Sequence, residues 1–292
     1  MFKKINKIIV FLLRKISTHR NYLFVLKNFK PLLELKHVNN LLESKRFFQL
    51  IETVELDVPK GKRITVIAPH TDDDIFGAGG TLLKAASQGA KISVIYLSNS
   101  AKTPAKIKLV KQEARAICDR YGAHSYFLDL TPGDIPIDNE KVLIILVKLL
   151  KKLSPNALFI SFFLDDHDDH RRANQLFMKA MGLMDLHKVE IWAYQIYSTL
   201  IGNVIVDITS TVNEKKVLMK MWKNVEGRRD WVHYILGINM ANCRYLSKEG
   251  KRYGELFFVV PVREYIDLCQ EYFSIAQTDI YHNSKYHLPI EK

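Results

Sequence analysis

One histidine and three adjacent aspartates form the part of this sequence that most directly indicates chemistry. Asp72, Asp73 and Asp74 follow His70 by two to four residues, directly after the apolar run RITVIA at 63–68. Neighbouring carboxylates repel one another, and the repulsion costs free energy unless a cation lies among them. The spacing therefore predicts a cation site at the end of a buried strand.

A second ionisable cluster, LDDHDDHRRAN at 164–174, contains His167 and His170. Two histidines and one aspartate, with a position left for water, are a ligand set typical of a catalytic zinc, and the same set also suits Fe²⁺. The alternative is a solvated acidic turn whose aspartates cap a helix. Two such clusters in one chain favour the metal.

Alternating strand and helix patterns surround both clusters. Helical patterns cover 79–88, 104–121 and 138–153, and they separate four short apolar runs that are typical of buried strands: RITVIA, KISVIYLS at 91–98, SYFLDL at 125–130 and ALFIS at 157–161. This alternation predicts right-handed βαβ units and a parallel sheet. Ligands of such sheets bind outside the carboxyl ends of the strands, where both clusters are expected.

After residue 170 the pattern is less regular but remains α/β. It predicts further helices at 169–183, 212–225 and 231–246, and strands within the segments VEIWAYQIY, NVIVDIT and GELFFVV. The predicted fold is a Rossmann-like three-layer α/β sandwich, with a mostly parallel sheet between two layers of helices.

The two clusters resemble the motifs of the PIG-L/LmbE-like zinc-dependent N-acetylglucosamine deacetylases. The first family motif, approximately A-H-P-D-D-E followed by Gly-Gly, is similar to PHTDDD at 69–74 with Gly79 and Gly80. The second, H-P-D-H, is similar to HDDH at 167–170. The resemblance extends from about residue 63 to RYGELFFVV at 252–260, which is similar to the late Y-A-E-x-F segment of the family.

The resemblance implies a set of roles for the matching residues. His70, Asp73 and His170 would bind zinc, or Fe²⁺ as the alternative, and Asp72 would be the general base. His167 would stabilise the oxyanion or protonate the leaving amine. The implied reaction is hydrolysis of the N-acetyl group of an N-acetylglucosamine-type sugar, giving acetate and a sugar amine.

The resemblance leaves the sugar's carrier open. The sugar could be a lipid- or nucleotide-linked glycan precursor, or a small soluble glycoside such as a thiol precursor. A catalytically silent sugar-binding module in a glycan-synthesis assembly is an alternative from another class.

The sequence also departs from the family pattern at several positions. Thr71 and Asp168 replace prolines, and Asp74 replaces a glutamate whose expected role is to support the metal ligands. Val110 occupies the position of an arginine associated with substrate contact, and the nearest cation is Lys111. Further candidates for ligand support or substrate contact are Asp134, Tyr253 and Glu255.

The positive charge of the chain is concentrated at its N-terminus. The formal net charge is +12, and residues 1–50 contain eleven Lys or Arg against two Glu. The rest of the chain is therefore close to neutral, and the basic residues alternate with aliphatic ones instead of the aromatic platform that binds nucleic acid. We therefore expect no nucleic-acid partner.

We predict two parts, a basic helical extension at 1–60 and a deacetylase domain at 61–292. The extension is expected either to lie on an anionic membrane surface or to pack its apolar stripe on the domain. It contains no run of about 20 apolar residues that would cross a membrane. The three cysteines, Cys118, Cys243 and Cys269, indicate a reducing compartment. A cytoplasmic location, with or without contact to the inner membrane surface, is therefore expected.

Overall fold

The computed structural model describes residues 53–275 except 102, 185, 187, 198–199 and 224–229. Most of the predicted N-terminal extension, with its excess of positive charge, lies outside the described residues. Within the described part of the chain, no helix combines the length and apolar character needed to cross a membrane.

A single eight-stranded sheet forms the middle layer of the fold. Its spatial order is β1-β7-β8-β6-β5-β2-β3-β4. Only β8 runs antiparallel to its neighbours, β6 and β7, so the predicted mostly parallel sheet is confirmed. The strands are β1 (Val54–Leu56), β2 (Arg63–Ala68), β3 (Lys91–Ser98), β4 (Ala123–Leu130), β5 (Ala157–Ser161), β6 (Glu190–Tyr194), β7 (Val204–Asp207) and β8 (Gly254–Pro261).

Seven α-helices are present in the described residues, and a 3₁₀ turn at Asn242–Tyr245 follows the sixth. Their positions follow the strand–helix alternation that the sequence predicts. The helices are α1 (Asp73–Ser87), α2 (Pro104–Arg120), α3 (Glu140–Leu153), α4 (Asp168–Met181), α5 (Val212–Met219), α6 (Trp231–Ala241) and α7 (Val262–Ile275).

Strand β2 shows why the central strands are mostly apolar. Ile64, Val66 and Ala68 pack into the hydrophobic core on the side of α1, α2, α5 and α6. Thr65 and Ile67 alternate with them, point to the opposite face and are equally buried. A parallel strand covered on both faces is apolar over most of its length, which explains the run RITVIA, in which Thr65 is the only polar residue after the exposed Arg63.

Helix α1 begins earlier than the sequence pattern suggests. It starts at Asp73 instead of residue 79, so the glycines of this segment lie inside a helix. A Cβ atom at Gly77 would lie 2.2 Å from the ring of Tyr194, and one at Gly80 would lie 2.6 Å from Ile208. These glycines therefore allow α1 to pack closely on the sheet. The contacts are with residues distant in sequence, so helix propensity alone does not predict that the helix includes these glycines.

Two further elements are not indicated by the local pattern. Strand β1 pairs in parallel with β7, so the sheet begins before the predicted domain boundary at residue 61. Its three residues are partly or fully exposed, and the run is too short for its pattern to indicate a strand. Helix α7 continues directly from β8, where the sequence analysis identified only the strand.

The strand order creates a crevice at the carboxyl end of β2. β3 pairs with one edge of β2 and β5 pairs with the other. The chain therefore continues from β2 toward one edge of the sheet and from β5 toward the opposite edge. Such a reversal of strand order is where ligands bind in open α/β sheets. The segment with His70 leaves β2 at this point, and the segment with His167 and His170 leaves β5 beside it.

Candidate active site

The side chains that follow β2 and β5 meet around the carboxylate of Asp73. Its Oδ2 atom lies 3.1 Å from Nδ1 of His70 and 3.2 Å from Nε2 of His170. One ring nitrogen from each of His70, His167 and His170 lies within 4.8 Å of the others. The structure thus brings together the three predicted metal ligands and adds His167 to the same group.

The second nitrogen of each predicted histidine ligand faces another carboxylate. Nε2 of His70 lies 2.9 Å from Oδ2 of Asp169, and Nδ1 of His170 lies 3.5 Å from Oδ2 of Asp165. Histidines that bind metals commonly present their other ring nitrogen to a carboxylate in this way.

His170 supplies a direct test of whether this donor set suits a metal. Its side chain is fully buried, and its two ring nitrogens lie 3.2 Å from Asp73 and 3.5 Å from Asp165 without the geometry of a hydrogen bond to these or to other described residues. A buried imidazole without a hydrogen-bond partner costs free energy, which coordination to a metal ion would offset. The donors His70, Asp73 and His170 therefore fit a divalent ion that accepts nitrogen and oxygen ligands.

Asp165 and Asp169 are held in place by backbone N–H groups. Asp169 accepts hydrogen bonds from the N–H groups of Gly133 at 2.6 Å and Ile135 at 3.4 Å. Asp165 accepts from the N–H groups of His167 at 3.0 Å and Tyr197 at 3.3 Å. The sequence analysis assigned no role to either aspartate. The repeated Asp-Asp pair in LDDHDDH could have indicated that these aspartates support the histidines, but the same pattern also fits a helix cap.

Asp72 lies at the wall of the cavity beside this group. Its side chain makes no capping hydrogen bond to α1, although Asp72 is the residue that precedes the helix. Burial and the neighbouring charge of Asp73 raise the pKa of Asp72 to about 7. A carboxylate with a pKa near neutrality can accept a proton in the pH range where hydrolases work.

His167 caps the N-terminus of helix α4 and lines the same cavity. Its Nδ1 atom accepts a hydrogen bond of 3.2 Å from the N–H of Asp169, so a neutral ring carries its proton on Nε2. Burial, with the nearby rings of His170 and His70, lowers the pKa of His167 to about 4. His167 is therefore a neutral hydrogen-bond donor here, which supports the predicted contact with an oxyanion more than a role as imidazolium.

The cavity has a volume of about 300 Å³ and opens at the ends of β2 and β5. Four of the residues around it are the ionisable groups described above. The lining is His70, Asp72, Ser100, Ala101, Pro132, Gly133, His167, Asp169, Tyr197 and Trp231.

Thr71, one of the departures from the family pattern, anchors a residue of the cavity wall. Its N–H and its hydroxyl both donate to Oγ of Ser100, at 3.1 and 3.0 Å. Ser100 has a left-handed backbone conformation with φ of 51°. A proline at position 71 could not donate the N–H bond, so the substitution adds a contact within the site.

Asp74 lies outside the cavity lining, behind the metal-ligand group. It is fully buried, and its Oδ2 accepts hydrogen bonds from the hydroxyls of Tyr96 at 3.0 Å and Tyr121 at 2.9 Å. Burial raises its pKa to about 7. Asp74 is thus hydrogen-bonded to two tyrosines in the core and to none of the three histidines.

The late strand β8 also directs its candidates away from the cavity. Glu255 is buried and accepts from Nζ of Lys215 and from the N–H groups of Gly80 and Thr81 in α1. Tyr253 is partly buried and packs against the hydrophobic core. Neither residue lines the cavity.

Asp134 and Lys111 form ion pairs elsewhere in the domain. Asp134 is exposed and pairs with Arg172 at 3.1 Å. Lys111 pairs with Asp129 beside the ring of Phe127. Neither Asp134 nor Lys111 lines the cavity, so the structure does not place Lys111 where it could replace the arginine of the family.

Comparison with known families supports the resemblance of the two motifs. Residues 65–181 match the model of the PIG-L family, described as GlcNAc-PI de-N-acetylase. This stretch contains every residue of the metal-ligand group together with Asp72 and His167. The predicted family resemblance is therefore confirmed for residues 65–181.

Solved structures share the fold at low sequence identity. The N,N'-diacetylchitobiose deacetylase from Pyrococcus horikoshii has 22% identity and a TM-score of 0.59, with 69% of this chain and 85% of that chain covered. The conserved protein TT1542 from Thermus thermophilus has 21% identity and a TM-score of 0.59, with coverages of 69% and 96%.

A third neighbour has a different activity. GalB from Pseudomonas putida KT2440 is a 4-carboxy-2-hydroxymuconate hydratase with 20% identity and a TM-score of 0.57, and 68% of this chain and 96% of that chain are covered. At such identities the likeness concerns the fold. The predicted three-layer α/β architecture is confirmed by these neighbours, and the reaction has to be argued from the site.

Proposed function

We propose that this protein is a metal-dependent hydrolase that removes the N-acetyl group from an N-acetylated aminosugar, giving acetate and a sugar amine. The observation that carries the proposal is the placement of Asp72 and His167 at one cavity, beside the donor set of His70, Asp73 and His170. A base, a hydrogen-bond donor and a metal site in one small cavity are the parts that amide hydrolysis requires.

His70, Asp73 and His170 would hold the metal, which we propose to be zinc, with Fe²⁺ as the alternative for the same donors. When bound, zinc lowers the pKa of a coordinated water to about 7 and polarises the acetyl carbonyl. Asp165 and Asp169 keep the two histidine rings oriented toward Asp73 through the contacts of their second nitrogens.

Asp72 and His167 have separate roles in this proposal. Asp72 accepts a proton from the attacking water, because its pKa is raised toward neutrality and its carboxylate is not needed for the metal. The Nε2–H of His167 donates a hydrogen bond to the acetyl oxygen as that oxygen gains negative charge. The carbon–nitrogen bond then breaks as the amine takes up the proton that Asp72 accepted from the water.

Acetate release is the direct test of this function. The metal-loaded protein would be assayed with N-acetylated sugars that are free, nucleotide-linked or lipid-linked. Asp72→Asn should reduce kcat by about 10²- to 10⁴-fold, the usual contribution of a general base. Asp134→Asn is the matched control, because this exposed aspartate lies outside the cavity and its replacement should leave kcat unchanged.

Two results would contradict the proposal. One is the absence of acetate release from every sugar although the metal is bound. The other is full activity of Asp72→Asn.

For the N-terminal segment we propose peripheral contact with an anionic membrane at the cytoplasmic face. The support is the concentration of eleven Lys or Arg in residues 1–50 among aliphatic residues. Sedimentation with vesicles that contain anionic lipid should capture the full chain, and glutamines at Lys3, Lys4 and Lys7 should weaken capture. Equal capture by neutral vesicles would contradict the proposal.

A further inference from the structure

Residues 99–101, which follow β3, are fastened to the segment that leaves β2. The N–H and the hydroxyl of Ser98, the last residue of β3, donate to the backbone oxygen of Pro69, at 3.0 and 2.9 Å. The N–H and the hydroxyl of Thr71 donate in the opposite direction, to Oγ of Ser100, at 3.1 and 3.0 Å. These hydrogen bonds hold Ser100 against the segment that carries the first ionisable cluster.

A contact with the adjacent strand holds the same residues from the other side. Nδ2 of the buried Asn99 donates to Oδ1 of Asp129, near the end of β4, at 2.9 Å. Asp129 and Ser100 both have a left-handed backbone, with φ of 58° and 51°. Left-handed backbone is costly for a residue with a Cβ atom and persists only where its surroundings enforce it. Residues 99–101 are therefore kept in a strained shape, and strain of this kind is concentrated at functional sites.

The two hydrogen bonds from Thr71 determine what the Ser100 hydroxyl can do. A serine oxygen has two lone pairs and one proton. The N–H of Thr71 occupies one lone pair, and its hydroxyl occupies the other. Thr71 is fully buried, so a bond in the reverse direction would leave its hydroxyl proton without an acceptor among the described residues. Ser100 is half-buried and lines the cavity, so its own proton is available to a ligand there.

Ser100 reaches the cavity from β3, whereas His167 reaches it from β5, on the other side of β2. In the proposed reaction His167 contacts the acetyl oxygen, so Ser100 is left for an oxygen elsewhere on the substrate. An aminosugar carries hydroxyl oxygens around its ring, and each can accept a hydrogen bond from a serine. A hydroxyl that only donates therefore distinguishes a sugar with an oxygen at one position from a sugar that lacks it.

We propose that Ser100 determines specificity by donating a hydrogen bond to one hydroxyl oxygen of the acetylated sugar, other than the anomeric oxygen. Thr71 is a positioning residue, because it directs the Ser100 hydroxyl and does not itself line the cavity. The inference rests on the proposed deacetylase function and deepens it by assigning recognition of the sugar to these two residues. The anomeric oxygen is excluded because it joins the sugar to its carrier in a linked substrate.

The test measures acetate release from N-acetylglucosamine and from its 3-deoxy, 4-deoxy and 6-deoxy analogues by variants of the full-length, metal-loaded protein. Ser100→Ala should lower kcat/KM on N-acetylglucosamine about 3- to 10-fold, the usual contribution of one hydrogen bond between uncharged groups, through a higher KM. The same loss is expected on two of the analogues. On the third analogue the wild type is already impaired, and Ser100→Ala should cause no further loss because the contact is absent.

Ser100→Gly separates this contact from a structural role. Glycine adopts the left-handed conformation of Ser100 without strain, so this variant should be at least as stable as the wild type in urea unfolding. It lacks the hydroxyl, so it should nevertheless show the same selective loss as Ser100→Ala. A residue that only shaped the backbone would give an active Ser100→Gly protein with the selectivity of the wild type.

Variants of Thr71 test its positioning role. Thr71→Val removes the hydroxyl but keeps the N–H and the shape of the side chain, and it should show the same pattern with a smaller loss. Thr71→Ser retains the hydroxyl and should behave as the wild type. Ser87→Ala is the matched control and should leave the selectivity unchanged, because Ser87 is exposed at the end of α1 and its hydroxyl donates to the backbone oxygen of Lys84.

An equal loss on all four sugars in Ser100→Ala, wild-type selectivity in Ser100→Gly, or a selective loss in Ser87→Ala would overturn the proposal. Calorimetric binding of the same sugars keeps it distinct from the proposed reaction. If no sugar releases acetate, but Ser100→Ala weakens the binding of all except one analogue, the contact stands and the reaction fails. If all variants release acetate with the same selectivity, the reaction stands and the contact fails. If the sugars neither react nor bind, both fail.

Discussion

Replacing Lys215 with methionine should lower the free energy of unfolding by about 3 kcal/mol, the lower end of the cost of breaking a buried ion pair. The side chains of Lys215 and Glu255 are both fully buried, and Nζ lies 2.7 Å from Oε1 of the glutamate. The ammonium group also donates to the backbone oxygen of Phe76 and to Oδ1 of Asn239, both at 3.0 Å. Methionine is close in size to lysine, so the main loss is that of charge and hydrogen bonds.

The estimate lies at the lower end because Glu255 keeps other partners. The N–H groups of Gly80 and Thr81 donate to its two carboxylate oxygens, each at 2.8 Å. These bonds continue to stabilise the negative charge when Lys215 is absent. The double variant Lys215→Met with Glu255→Gln should recover part of the loss, because the amide carries no uncompensated charge.

Urea unfolding followed by circular dichroism measures the change. Lys216→Met is the matched control, because Lys216 is exposed on the same helix and its replacement should change stability by less than about 0.5 kcal/mol. A loss below about 1 kcal/mol for Lys215→Met would refute the reasoning. So would an equal loss in both variants.

The same pair decides whether Glu255 acts in the site or in the framework. It joins β8 to the middle of α1, the helix that begins with Asp73. Glu255→Gln should therefore lower stability, while the folded variant keeps kcat within about one order of magnitude of the wild type. A folded, stable Glu255→Gln protein with activity reduced by about 10² or more would instead identify Glu255 as a residue of the reaction.

Three further predictions concern the metal site, the buried carboxylate and one strained turn. Asp169→Asn should weaken zinc binding by about 10- to 100-fold in a chelator competition, because the carboxylate that faces Nε2 of His70 is lost; unchanged affinity would contradict this role. Burial raises the pKa of Asp74 to about 7, so the stability contributed by its proton is complete below about pH 4 and is lost as the pH rises through 7. Between pH 5 and 8 the wild type should accordingly lose up to about 2.5 kcal/mol relative to Asp74→Asn in urea unfolding, and a pH-independent difference would exclude this effect. Ser154 ends α3 with φ of 43° and is exposed, so Ser154→Gly should raise the free energy of unfolding by about 1 kcal/mol without a change in kcat, as thermal unfolding and acetate release would show.

The elements that position the site could be predicted from local patterns. The runs at 63–68 and 157–161 match β2 and β5 residue for residue, because a strand buried on both faces is apolar over most of its length. The general rule for parallel sheets then places the chemistry at their carboxyl ends. The start of α1 and the strand β1 could not be predicted in this way, since packing against Tyr194 and pairing with β7 decide them.

The roles of individual polar residues depended on contacts between distant parts of the chain. Asp73 and Glu255 are both acidic residues in motifs of the family, yet one lies between two histidines and the other pairs with Lys215. Asp169 lies 2.9 Å from a histidine that is 99 residues away in sequence. A local pattern cannot distinguish a carboxylate that orients a ligand from one that caps a helix.

The sequence by itself determined which ionisable residues are available for chemistry and which strand ends they follow, because residue type and apolar periodicity are local properties. Only the tertiary structure decided which carboxylates support the histidines, where Glu255 is buried, and that Tyr197 and Trp231 form a wall of the cavity. The physical reason is the strand order. β5 lies beside β2, and this pairing brings together side chains that no sequence spacing relates.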